Sequence, residues 1–324
     1  MSPPRARPTG DAGPARRRGA RVARVAYLGV VVVVLGWLGW DQRQEVGALA
    51  GDARPGLLAL ALVVIGVQLW LTAAFWAATL RALGEPLAVT TVLDASARSL
   101  LARYVPGSVW YAVGRSALLR HRVSARALGV VAVLEIGLSV VVGFVAGAGL
   151  LLATRRVAPA VGVVGLVGVV VAAAACSPPA VNRVLAEVAR RRGGTPARLA
   201  WPPFLVLVAW MVAFWAASAT SFALYLAAFP SALPATGAPP VLEVAGAYML
   251  ARVLGMLAVF APQGLGVFEV AVATLLTTAT AGASPALGSL VLVVAGYRAL
   301  VLVRDGLAVG VAEVRRSTRP TPAD

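Results

Sequence analysis

The chain has 324 residues, of which 60% are hydrophobic and only 13% charged, with a formal net charge of +16 and a mean hydropathy of +0.84. A soluble domain carries roughly twice that charged fraction, so composition excludes the soluble classes and points to an all-α polytopic membrane protein. Porin-like barrels are excluded as well, because the apolar runs are continuous rather than alternating.

The positive charge comes wholly from arginine, since the chain contains no lysine. The arginines cluster between apolar runs, which fits loops facing anionic lipid rather than a nucleic-acid face. One cysteine, Cys176, excludes an intramolecular disulfide, and one histidine, His121, excludes His-cluster metal sites. His121 sits between Arg120 and Arg122, a poor setting for nucleophile–base geometry. Neither an enzyme nor a cofactor is expected.

Residues 1–24 are rich in Pro, Gly and Arg and read as a disordered basic cytoplasmic tail. A first apolar segment runs from Val25 to Trp40, with Trp37 and Trp40 placed like an interface belt. Ala48-Leu49-Ala50 resembles a signal-peptidase site, but the polar residues from Asp41 to Glu45 separate it from the apolar run, so a retained anchor is expected. The second segment is Leu57–Leu80. Leu87–Leu119 follows, interrupted by Asp94, Arg98, Arg103, Pro106-Gly107 and Arg115. Its arms are about 25 Å or less at 1.5 Å per residue, too short for a comfortable crossing, and it reads as a re-entrant hairpin.

After the basic loop around Arg120–Arg126 comes a span from Ala127 to Leu152 that contains Glu135. Gly143 and Gly147 within it match the small-xxx-small pattern of closely packed helices. A Gly-rich span, Val157–Ala175, leads into a polar loop at 176–200 that carries Arg183, Arg190, Arg191, Arg192 and Arg198. Trp201–Phe229 is the next span. The tract Val241–Thr280 is broken at Pro262-Gln263-Gly264-Leu265-Gly266 and holds Arg252 and Glu269. A last span from Pro285 to about Val311 contains Arg298, Arg304 and Asp305, and residues 312–324 form a cytoplasmic tail.

Arginine counts place both termini on the cytoplasmic side. The order span, span, broken hairpin, span then describes residues 25–152 and again 157–311, in opposite orientation. Such an inverted repeat puts a site where the halves meet. The expectation is about six transmembrane helices plus two re-entrant hairpins, or 8–10 helices if the hairpins span.

Ionisable groups inside a membrane cost about 2.5–3.5 kcal/mol each at a helix centre, so they are functional candidates by default. Glu135 and Glu269 stand out, the first for its long apolar flanks and the second for the break before it. Arg252 stays protonated when buried and needs a carboxylate, with Glu269 or Glu135 as candidates, or an anionic ligand such as a lipid phosphate. Each break also starts a helix, at Gly107-Ser108 and near Gly264, where free amides and the macrodipole favour anions. Arg103, Arg115, Arg298 and Gly266 complete the candidate headgroup path, alongside Pro106 and Pro262 at the breaks themselves. Arg98 and Arg298 are second choices for that path, and Asp94, Arg103, Arg304, Asp305 and Glu243 have internal pairing or interface placement as the simpler reading.

Tyr104-Val105-Pro106-Gly107 with Trp110 and Gly114-Arg115, followed by Pro262-Gln263-Gly264-Leu265-Gly266-Val267 with Glu269, resembles the flippase-like transmembrane region of the lysylphosphatidylglycerol synthase family. The resemblance covers residues 25–311, and Gln263 stands where that family usually has glycine. It implies a lipid translocase fold with two re-entrant hairpins and a polar cavity in a cytoplasmic membrane. It does not imply lysyl transfer, which belongs to a separate soluble domain. The ligand class is an anionic phospholipid, a glycolipid or a polyprenyl phosphate. The alternative is a scaffold that binds lipid or an envelope-lipid biosynthetic enzyme without transport. An intramembrane glycosyltransferase is a third reading, disfavoured because no paired acidic donor motif is visible. The chain shows no nucleotide-binding loop, so direct ATP drive is not expected.

Overall fold

The described residues are mostly helical, with no strand among them. In the computed structural model, residues 1–51 and 52–324 are separate units. The described residues are 51–104, 110–154, 176–192, 198–232, 240–258, 264–277 and 287–318, with a few isolated positions besides. The expected span at 25–40 lies outside them, and the span at 157–175 almost wholly so.

Three helices are long and apolar enough to cross a membrane: α1 (Pro55–Ala82), α4 (Ala125–Ala153) and α6 (Trp201–Ala227). Between α1 and α4 lie α2 (Val89–Ser99), a 3₁₀ turn (Leu100–Tyr104) and α3 (Trp110–Leu119). Helix α5 (Pro178–Arg192) precedes α6. After α6 come α7 (Val241–Leu257), α8 (Val267–Thr277) and α9 (Leu287–Ser317).

The long helices start where their sequences dictate. Pro55 opens α1 with its φ already helical and no donor to waste. Ser124 caps α4 by accepting the Ala127 amide at 3.1 Å, and Pro202 and Pro203 stand in the first turn of α6. At 1.5 Å per residue these helices reach about 40 Å, beyond the ~30 Å of a bilayer core. Only one flank of each is buried. Val63, Trp70, Val133, Val145, Leu205 and Val212 are left exposed, as lipid-facing side chains are.

Hydrogen bonds fix the order of the helix ends. The Arg54 amide donates to the Ala228 carbonyl at 2.9 Å, so α1 begins where α6 ends and the two run antiparallel. At the opposite end Glu85, just past α1, accepts the Ser124 amide and hydroxyl, each at 2.6 Å. The segment α2–α3 thus leaves and returns at one end of the bundle. The second interrupted segment approaches from the other end, where Gly246 of α7 meets Gly147 near the end of α4. A Cβ on Gly147 would lie 2.8 Å from the Leu250 amide nitrogen. Helix α7 stops close to Ser139, midway along α4, whose hydroxyl lies 4.0 Å from the Met256 sulfur.

Two expectations need correction. The stretch 176–200, read as a polar loop, contains the helix Pro178–Arg192, and the last helix runs to Ser317 rather than ending near Val311. The small-residue pair in α4 has internal work. Gly143 makes room for Trp215, whose ring would stand 2.3 Å from a Cβ there, and Gly147 admits α7.

Candidate functional site

The first interrupted segment carries its arginines into the bundle. Arg115 of α3 is fully buried. Its guanidinium lies over the rings of Trp76 and Tyr111, 4.2 Å from each centroid. A planar cation between two aromatic faces is a favoured arrangement, worth about 2 kcal/mol per desolvated contact. Its carboxylate neighbour is Glu135 of α4, with Arg115 Nη1 3.5 Å from Oε2. The Trp76 indole N–H donates to that same oxygen at 2.8 Å. At 3.5 Å the charges attract without forming a hydrogen bond, and all three guanidinium nitrogens are buried with no hydrogen-bond partner. The Tyr111 hydroxyl is buried and unpartnered too. Buried donors of this kind are uncommon, because each costs the full desolvation penalty.

A second knot ties the segment to α9. Asp305 is fully buried and accepts from the Tyr104 hydroxyl at 2.9 Å, with Arg103 Nη1 at 3.3 Å. Arg304 Nε lies 2.7 Å from its other oxygen, and Arg304 Nη1 donates to the Ile65 carbonyl at 3.2 Å. Arg98 lies between Asp94 at 3.6 Å and Glu313 at 3.8 Å. The internal-pairing reading therefore describes Asp94, Arg103, Arg304 and Asp305, and the pairing takes in Arg98, a second choice for the headgroup path, as well.

At the second break, Gly264 and Gly266 both have positive φ, 69° and 83°, a region that L side chains resist. Gly264 presses on Gly255 so closely that a Cβ would lie 2.5 Å from its Cα. Gly266 caps α8. Its amide donates to Glu269 Oε2 at 2.7 Å, half of a capping box. Glu269 also pairs with Arg298 of α9, and Arg298 lies over the Phe268 ring. The amides expected here for an external anion thus already face a carboxylate of the chain.

The structure brings Arg103, Arg115 and Glu135 into one region, and Gly264, Gly266, Glu269 and Arg298 into another. Pro106, Gly107, Ser108 and Pro262 lie outside the described residues. Neither Glu269 nor Glu135 pairs with Arg252. Those carboxylates face Arg298 and Arg115, and no carboxylate among the described residues forms an ion pair with Arg252. Trp76 and Tyr111 were missed, since aromatic residues in apolar runs look like ordinary core, while Tyr104 was noted only as part of the motif around Pro106.

A small cleft, open to the outside, lies between α1, α4 and α6. Glu135 and Ser139 are its polar residues on α4, with Thr72 on α1 and aromatic walls from Phe75, Trp210 and Phe214. Glu135 therefore touches both the buried arginine and the cleft. Among the described residues no group of acidic, cysteine or histidine side chains could hold a metal. No family model, curated protein or solved structure matches the chain.

Proposed function

We propose that this protein is a flippase-like lipid translocase that holds the headgroup of an anionic or polyprenyl-phosphate-linked lipid in a polar pocket inside the membrane. One observation carries the reading. A fully buried arginine, Arg115, keeps its guanidinium donors unfilled beside a carboxylate that lines a cleft between three apolar helices. A phosphate oxygen would complete those donors with charge-assisted hydrogen bonds, while Arg252 offers a second cation with no ion-paired carboxylate among the described residues.

The topology proposed with it has two re-entrant hairpins entering from opposite leaflets and meeting at mid-depth, as halves of an inverted repeat. Three features support it. Glu85 and Ser124 close the first segment at one end of the bundle. Helix α7 stops at the middle of α4. The first arm, an 11-residue helix continued by a five-residue 3₁₀ turn, rises about 25 Å and the 10-residue α3 about 15 Å, both short of a ~30 Å bilayer core. The arginine-rich end, with Arg81, Arg120, Arg122, Arg198, Arg315 and Arg316, is assigned to the cytoplasm of a bacterial-type inner membrane.

The pairing of Glu135, Glu269 and Asp305 with arginines favours a second reading, a scaffold that holds lipid or an envelope-lipid enzyme without moving it. Proteoliposomes carrying fluorescent phosphatidylglycerol separate the two. A translocase moves the label between leaflets, and Arg115→Ala, Arg252→Ala and Glu269→Gln each slow it about tenfold or more, the scale set by one lost charge-assisted hydrogen bond. If the wild-type protein binds the label but leaves it in its leaflet, the scaffold reading replaces the translocase.

A further inference from the structure

Helix α5 is amphipathic, and its two faces are treated differently. Pro178, Leu185 and Ala189 are buried along one side, the spacing of a helical stripe. The other side carries Arg183, Arg190 and Arg191, all exposed, with the apolar Val184 among them, 63% exposed. Glu187 pairs with both Arg190 and Arg191. With Arg192, the helix holds four arginines against one glutamate, and exposed Arg198 follows in the connection to α6.

The helix is anchored at a defined level. Asn182 donates to the Leu199 carbonyl at 2.9 Å and accepts the Leu199 amide at 2.7 Å. That two-way bond clamps α5 to the start of α6, a helix apolar enough to cross a membrane. Trp201, half exposed at 53%, marks the same boundary, the placement tryptophan favours at headgroup level. Arginines mixed with an exposed valine suit the headgroup zone, where guanidinium groups meet phosphates and short apolar side chains meet the acyl boundary. Open water suits the valine poorly.

We infer that α5 is an interfacial helix whose arginine face docks on the anionic lipid headgroups surrounding the bundle at this end. This surface is separate from the Arg115 pocket and stands whether or not the protein moves lipid. The attraction is electrostatic, about fivefold per arginine at low salt, and falls off within a Debye length.

The test uses the full chain with Cys176→Ser and Val184→Cys, carrying an environment-sensitive fluorophore at position 184. The protein is placed in nanodiscs of phosphatidylcholine alone, or of equal parts phosphatidylcholine and phosphatidylglycerol. The inference expects the label to be shielded from acrylamide, an uncharged quencher, in the anionic discs and open in the neutral ones. Shielding should be lost in Arg183→Gln/Arg190→Gln/Arg191→Gln and in high salt. Glu187→Gln, which releases two arginines from their internal partner, should strengthen it. Equal quenching in both lipids overturns the inference and leaves the face for water or an acidic protein. Shielding that survives the triple substitution overturns it too.

Discussion

The two interrupted segments of this molecule solve the same problem by opposite means. The segment from α2 to α3 is held by charge. Arg98, Arg103 and Arg115 reach Asp94 and Glu313, Asp305, and Glu135. The segment from α7 to α8 is held by closeness of backbone, with Gly246 on Gly147 and Gly264 on Gly255, and Glu269–Arg298 links it by charge to α9. Glycine contacts allow dispersion and weak Cα–H···O contacts but tolerate no added atom. Ion pairs in a low dielectric are strong yet can be exchanged for other charges. A segment held by cations can answer to an anionic ligand, whereas one held by glycines serves as a fixed wall.

Substitutions can break that contrast. The largest loss is expected from Glu135→Gln, which strands the Arg115 charge and should destabilise by about 3–5 kcal/mol, read as a lower melting temperature in detergent. Adding Arg115→Met to that variant should restore most of the loss, because removing both charges of a buried pair is often near neutral. If the double variant melts no higher than Glu135→Gln alone, charge is not what holds the first segment. Gly264→Ala comes next. Its positive φ and the Gly255 backbone against it should together cost about 3 kcal/mol, again by thermal melt. Gly147→Ala should follow at about 1–3 kcal/mol, since Leu250 and Met249 must shift to admit a methyl group. The smallest effect belongs to Arg98→Gln, about 0–1 kcal/mol, because that pair is partly exposed. A large loss there would mean that the outer charges matter as much as the buried ones.

Much of this fold could be read from residue order alone. The long apolar runs gave α1, α4 and α6 within a few residues of their ends, because in a membrane protein a continuous run of such residues has few other outcomes. Both interruptions were visible through Pro106-Gly107 and through Pro262 with Gly264. Ion-pair partners were not. Arg252 was read as the mate of Glu269 or Glu135, and only the packing of α8 against α9 shows that Glu269 faces Arg298 instead. The cap on α8 was legible in the spacing of Gly266 and Glu269, where a glutamate three residues past a helix cap is a known signal. Helix α5 was hidden because its buried stripe is short and its arginines dominate the count.

Helix α9 carries Arg298 and Asp305 seven residues apart, two turns along one rod. The first grips the glycine-packed segment through Glu269, and the second grips the cationic one through Arg103 and Tyr104. A rod cannot slide past one grip while keeping the other in register. Any motion that loosens one half of the bundle must therefore pull on its counterpart, so opening would come as a single joint event.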